Sequence, residues 1–330
     1  MAKNYISSFI WLGAALSFTV AAEQNQELPS SSWKSIFVVD DNTVWVGSGE
    51  GKVAVSENAG ESWQVSTPGG RSANLDIRQI VAYDNRHAFL LSSGRGERSR
   101  LMRTRNAGFS WRQLYRANGD EYLHCFDIIP DGESWVLGEA ILDDWHVVRS
   151  SNTNHWISSR SGFAERSLMG ESASDDGNCV TFANNFWAMG TKDAEYARLV
   201  YKSARALRFQ VVNTPLTGGA GNGIHAVYPL GNNDILIAGG AEQGPPEFYR
   251  YTNGSFTELN SPPLEGPLTQ MVIAGSWTLV GNTNGVYRSN NFGDSWAQVS
   301  ASGVKGLSCS DAGACWAITI DHEVVKLPEL

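Results

Sequence analysis

Apolar residues recur along the chain in short alternating runs, each stopped by a cluster of Gly, Asn, Asp or Ser. A period of two over a few residues marks half-buried β-strands, and nowhere does a 3.6-residue period persist long enough for an amphipathic helix. Four such runs form a unit: residues 33–39, 43–47, 52–56 and 63–65 in the first, and 77–83, 88–92, 99–104 and 111–114 in the second. The third unit takes 123–129, 134–138 and 146–150 and closes on Trp156, and the fourth takes 172–182, 186–190, 199–203 and 209–212. The fifth has 224–228, 235–239, 247–251 and 256–259, and the sixth 268–273, 278–281, 285–289 and 296–299. A seventh, 304–308, 315–319 and 323–326, stops one strand short. Self-similarity at a period of roughly 40 to 50 residues means units that bury their faces only by stacking on neighbours.

Between the third and fourth runs an octapeptide returns three times, as Ser56-Glu-Asn-Ala-Gly-Glu-Ser-Trp63, Thr104-Arg-Asn-Ala-Gly-Phe-Ser-Trp111 and Ser289-Asn-Asn-Phe-Gly-Asp-Ser-Trp296. Asn58, Asn106 and Asn291 suit a turn, because their side chains hydrogen-bond local backbone. Gly60, Gly108 and Gly293 supply a positive φ, and Trp63, Trp111 and Trp296 are expected to wedge into the interior of their own unit. The pattern resembles the Asp-box (BNR) signature Ser-x-Asp-x-Gly-x-Thr-Trp of sialidase-like and related β-propellers. Asn in the Asp position keeps the turn-forming acceptor and drops its charge.

The expected fold is therefore all-β, a seven-bladed β-propeller of four-stranded antiparallel blades, formed by residues 23–330 as one domain. The strand missing from the seventh unit is expected from residues 27–32, near Leu28, so that one chain end completes the blade of the other. Six and eight blades are the alternatives, because the boundaries of the fourth unit are soft. In a four-stranded meander the first and third turns emerge on one face, and the second turn and the link to the next unit on the other. The octapeptides thus lie opposite the second-turn loops. Four of those loops, 94–98, 139–145, 191–198 and 240–246, are long and rich in charge, and they follow one another on consecutive units.

Composition agrees with β structure: 34 Gly, 12 Trp, 13 Phe and 10 Tyr in 330 residues, of which 18% are charged. Lys3, an apolar run over residues 6–20 and the small residues Ala21 and Ala22 read as a signal peptide, residues 1–22, with the mature chain periplasmic or secreted. The run is short for an uncleaved membrane anchor. A net charge of −9 with scattered basic residues makes nucleic acid a poor partner. In an exported chain four cysteines make disulfides a candidate feature. Cys309 and Cys315 bracket a turn and are a candidate pair across a hairpin, whereas Cys125 and Cys179 are expected as buried free thiols. No Cys or His spacing suggests a metal, and no cofactor motif is present. Gly218 to Gly223 leads into a strand and not a helix, so it is a connection and not a phosphate loop. Asp175, Asp176 and Asn178 lack the later ligands of a calcium loop. His124 reads as a structural histidine near the channel.

With the units aligned, the chain resembles the Ycf48-like family, the photosystem II stability and assembly factor propellers and their bacterial relatives. The residues that carry the resemblance are 35–40 with 44–49, 76–80 with 96–100, 125–129 with 137–139, 171–174 with 177–179, and Gly239-Gly240. The resemblance implies a noncatalytic exported scaffold that binds newly made membrane-protein subunits. On that reading the long-loop rim binds a protein or membrane-complex client, the chain acts as a monomer, and the residues of choice are Arg95, Glu97, Arg98, Glu139, Asp143, Asp144 and Trp145. The competing reading is a glycosidase or carbohydrate-binding protein of the envelope. A sialidase needs three clustered Arg, and although Arg78, Arg95, Arg98, Arg100 and Arg198 are present, the signature carrying the first of them is absent. A generic glycosidase would use Glu139 with Glu171 or Asp144.

Overall fold

A computed structural model describes residues 27–69 and 75–330. The expected signal peptide, residues 1–22, lies outside the described residues. Strands form at the alternating runs, except that the run expected over residues 172–182 breaks into two short strands separated by residues 174–179, and antiparallel pairing of neighbours along the chain gives six sheets. The first contains β1 (Trp33–Val38), β2 (Val44–Ser48), β3 (Val53–Ser56) and β4 (Gln64–Ser66). The second contains β5 (Asp76–Ala82), β6 (Ala88–Ser93), β7 (Arg100–Thr104) and β8 (Arg112–Arg116), and the third β9 (Leu123–Ile128), β10 (Ser134–Gly138), β11 (Val147–Ser150) and β12 (Ile157–Ser159). The fourth sheet has nine strands: β13 (Ser172–Ala173), β14 (Val180–Ala183), β15 (Phe186–Lys192), β16 (Arg198–Ser203), β17 (Gln210–Asn213), β18 (Gly223–Gly231), β19 (Asp234–Gly240), β20 (Glu247–Thr252) and β21 (Ser255–Glu258). Its two halves are joined by one residue pair, Lys192 with Gly223. The fifth sheet holds β22 (Gln270–Ala274), β23 (Trp277–Asn282), β24 (Gly285–Ser289) and β25 (Ala297–Ser300), and the sixth β26 (Val304–Cys309), β27 (Cys315–Thr319) and β28 (Val324–Lys326).

The innermost strands β1, β5, β9, β14, β18, β22 and β26 pack side by side in a cycle, with β26 returning to β1. Side chains reach across these contacts to backbone. Ser308 Oγ accepts from Val38 N–H at 2.9 Å, Gln79 bonds both N–H and C=O of Phe126 at 2.9 Å, and Asp127 accepts from Phe182 N–H at 2.7 Å. The core fills the wedges between sheets. One cluster, for instance, joins Trp135, Trp145 and Phe163 of the third unit to Trp187 and Phe209 of the fourth. One expectation fails here. Residues 27–32 form no strand, and among the described residues β28 pairs only with β27, so the sixth sheet stays three-stranded. Leu28 instead packs against the cluster of Trp33, Trp63, Trp316 and Ile318, which fastens the first sheet to the last by apolar contact. Trp33 Nε1 donates to Pro29 O at 3.0 Å, which ties this stretch to the start of β1 instead of to the edge of β28.

The octapeptide turns are nearly superimposable hydrogen-bond circuits. In the first, Gly60 N–H donates to Ser56 Oγ at 2.8 Å, Ser62 N–H donates to Asn58 Oδ1 at 2.9 Å, and Asn58 Nδ2 donates to Ser62 Oγ at 2.9 Å. The same bonds recur around Asn106 and Asn291. The residue before each Gly also sits at positive φ, as Ala59 at 55°, Ala107 at 56° and Phe292 at 53° show. Two of the three Trp correct the expectation that they wedge into their own unit. Trp111 Nε1 donates to Ser66 Oγ and Trp296 Nε1 to Asn260 O, both on the preceding unit, so these turns tie neighbours together. Apolar partners for the rings stand across the same seam: Trp111 meets Trp45 edge-on and Trp296 packs on Phe248, each of the preceding unit. Gly60 sits against the Trp316 ring, where an added Cβ would come within 2.6 Å.

Both cysteine pairs are disulfides. Cys309 and Cys315 face each other across the β26–β27 turn with Cα atoms 4.1 Å apart, as the spacing suggests. Cys125 and Cys179, expected as free thiols, are also bonded, with Cα atoms 6.0 Å apart. The ring sets β9 beside β14 and brings Cys125, near the start of β9, within bonding distance of Cys179, just ahead of β14, a proximity invisible in a sequence separation of 54.

Candidate functional site

The face opposite the Asn turns carries the loops between second and third strands together with the links from one unit to the next. These loops interlock through backbone bonds: Gly96 N–H to Glu121 O at 2.8 Å, Ala140 N–H to Glu171 O at 2.8 Å, and Gly219 N–H to Ala194 O at 2.6 Å. Arg95 and Glu139, singled out from two different units, meet here, with Arg95 Nη2 donating to Glu139 Oε2 at 2.8 Å. Arg95 also lies over the Tyr122 ring. Glu97 pairs with Arg116, Arg98 is exposed, Asp143 is exposed and Asp144 stands 3.8 Å from Arg160.

Trp145 is not a surface anchor. It is 4% exposed, stacks on Phe163 with centroids 4.8 Å apart, and donates its Nε1 to Glu165 O at 2.7 Å. The tight turn closed by Ile141 and Asp144 puts Leu142 and Asp143 at positive φ, which turns Leu142 outward and Trp145 into the core. Leu142 is 87% exposed, Met169 82% and Tyr196 44%, all on loops of this face. No periodic signal marks them, since a loop-tip apolar residue has no alternating neighbours to show which way it faces.

Below the loops lies a buried ion pair. Arg198 Nε donates to Glu171 Oε1 at 2.9 Å, its Nη2 bonds Glu171 Oε2, and its Nη2 also donates to Arg166 O at 2.9 Å. Its guanidinium lies 5.1 Å from the Trp145 ring. Glu171 Oε2 takes a further bond from Leu168 N–H at 2.7 Å. Both carboxyl oxygens of the buried Glu171 are thus occupied by fixed donors, Arg198 and the Leu168 N–H.

Inside the rim, the axial channel opens into a mouth of 350 Å³ above a deeper cavity of 570 Å³. Lys34, Arg78, His124 and Lys305 project from the first residues of β1, β5, β9 and β26, and Asp175 and Asp176 come from the link before β14. His124 Nδ1 and Asp175 Oδ1 are 2.6 Å apart. Burial opposes ionisation of Asp175, yet the His124 bond and charge, with Arg78 and Lys192 nearby, hold its carboxyl down at about 2. His225, bonded to Ser174 Oγ at 2.7 Å, is pushed down to about 4 by burial, with Lys192 adding to the shift. Farther down the channel, burial pushes Asp127 up to about 6 against two backbone N–H bonds. The upper end is thus mixed in charge, and the lower end acidic and aromatic, with Asp127, Asp311, Tyr83 and Tyr228. Among the described residues no group of three or more His, Cys, Asp and Glu could hold a metal, and no helix is long and apolar enough to cross a membrane.

No family model matches the chain. Over 64 residues, 19% of its length, it is 38% identical to the Photosystem II assembly lipoprotein Ycf48 of Synechococcus sp. (strain CC9605), of which it spans about a sixth, 17%. Among solved structures it is similar to streptogramin B lyase, with a TM-score of 0.67 at 12% identity over 93% of this chain and 96% of that one. It is similar also to YCF48 bound to D1 peptide, with a TM-score of 0.61 at 10% identity over 92% and 95% of the chains. YCF48 from Cyanidioschyzon merolae gives 0.62 at 14% over 91% and 97%. The chain is a β-propeller. Because the same fold serves a lyase and an assembly protein, fold alone does not choose between their activities.

Proposed function

We propose that the chain is an exported, seven-bladed, noncatalytic propeller scaffold that binds a protein or membrane-complex client through its long-loop face, in the manner of an assembly or stability factor. The observation that carries this reading is the exposure of Leu142, Met169 and Tyr196 on interlocked loops of one face, which also carry the charged Arg95, Glu97, Arg98 and Asp143. Apolar side chains on braced loops with a charged surround have the anatomy of a protein interface. The 64-residue match to Ycf48 and the D1 peptide bound by YCF48 support a protein partner.

The count of seven is supported by the cycle of seven innermost strands and by the single residue pair that joins the two halves of the nine-stranded sheet. The turns around Asn58, Asn106 and Asn291 support the Asp-box kinship. The leader-like residues 1–22 and two disulfides support export to an oxidising compartment, the periplasm.

The test is crosslinking capture from the cell envelope with wild type and a Leu142→Ser/Met169→Ser/Arg98→Ala variant. The variant is expected to lose the client while its thermal unfolding stays unchanged. Capture undiminished in the variant removes the client site from this face.

A further inference from the structure

The channel mouth holds unlike charges in a definite order. Lys305, Lys34 and Arg78 stand on β26, β1 and β5, which are consecutive around the axis, His124 follows on β9, and Asp175 and Asp176 come next. The cations retain unused donors. Lys305 Nζ lies 3.2 Å from His322 Nε2, and His322 Nδ1 is bonded to Trp33 O at 2.8 Å. A carbonyl only accepts, so Nδ1 carries a proton, and Nε2 faces the Lys305 ammonium as its acceptor. Among the described residues Lys305 has no carboxylate partner, whereas Lys34 is paired with Asp76 at 2.7 Å. Arg78 Nη2 is buried without a hydrogen bond, since Asp175 and Asp176 stand off at 3.6 and 3.8 Å. His124, with a side chain 3% exposed, likewise leaves Nε2 without a hydrogen bond in the wall of the mouth, the Glu139 carboxylate standing 4.0 Å away. The floor is stiff, because the Gln79 and Gln270 amides are tied to Phe126 O and Lys305 O.

We propose that this mouth binds a free α-amino acid as its zwitterion, the carboxylate between Arg78 and Lys305 and the ammonium against Asp175 and Asp176. A simple anion would meet two carboxylates, and a simple cation three basic side chains. A ligand with both charges a few ångströms apart satisfies both walls at once. The planar guanidinium of Arg78 suits a carboxylate, and the volume of 350 Å³ falls within the roughly 300–1,000 Å³ typical of small-molecule pockets. This site does not depend on the client-binding reading, which concerns the loop tips outside the mouth.

The experiment is isothermal titration of the full chain with each of the twenty common L-amino acids. L-alanine is then compared with propionate and ethylamine, which carry one charge each on a related skeleton. Saturable binding of at least one amino acid is expected, with propionate and ethylamine at least ten-fold weaker than alanine or silent. Arg78→Gln, Lys305→Gln and Asp176→Asn should each weaken the bound amino acid at least ten-fold. The Leu142→Ser/Met169→Ser/Arg98→Ala variant should bind it as wild type does, which separates this site from the client face. Propionate binding as tightly as alanine makes the mouth a plain anion site and overturns the proposal, as does the absence of saturation with all twenty.

Discussion

The two faces of the propeller are made by the same strands but spend their polar groups differently. On the Asn-turn face the Asn side chains close local circuits: Asn58 bonds Ser56 and Ser62 within its own turn. On the long-loop face polar groups reach between units, as Arg95 to Glu139 and His124 to Asp175 do, and several donors at the mouth stay unused. Tight turns satisfy themselves, and long loops must be satisfied by one another. A surface assembled from several loops has gaps, and gaps are where a partner or ligand is recognised.

Removing a support of the long-loop face should have the largest effect. Arg198→Met leaves Glu171 buried without its cation and should destabilise the fold by about 3–5 kcal/mol in urea unfolding, with Arg198→Met/Glu171→Gln recovering part of that loss. A loss below about 1 kcal/mol would mean that the loops do not rest on this pair.

The disulfides compare the two faces directly. Cys125–Cys179 joins neighbouring units on the long-loop side across 54 residues, and Cys309–Cys315 closes a 6-residue separation on the Asn-turn side. Loop-closure entropy predicts that the Cys125→Ala/Cys179→Ala variant loses about 2 kcal/mol more stability than Cys309→Ala/Cys315→Ala. Equal losses in calorimetric unfolding would show that unfolded-state entropy does not set the difference.

The smallest effect belongs to the Asn turns. Asn106→Asp keeps the acceptor for Ser110 N–H at 3.0 Å, and the Ser110 hydroxyl can turn to donate in place of the lost amide donor. Stability should change by less than about 1 kcal/mol, whereas Asn106→Ala should lose about 1 kcal/mol or more by leaving turn N–H groups unpaired. A large loss in the Asp variant would make the amide donor essential and separate these turns from the Asp-containing signature they resemble.

Periodicity fixed much of this molecule in advance. Alternation placed the strands, the repeated Asn, Gly and Trp placed the turns, and strand order alone assigned the loops to faces, because each depends on neighbours within one unit. The interior partners were set by ring closure. Cys125 meets Cys179, Trp111 reaches Ser66 and Arg198 finds Glu171 only once units stand side by side. Trp145 and Leu142 show the limit most directly: they sit three residues apart on one charged loop, and a two-residue stretch at positive φ sends one into the core and the other into solvent. Local pattern determined the strands and turns, since those bonds close within a few residues. Tertiary structure decided burial, pairing and the charged channel mouth, since those contacts join residues that only the ring brings together.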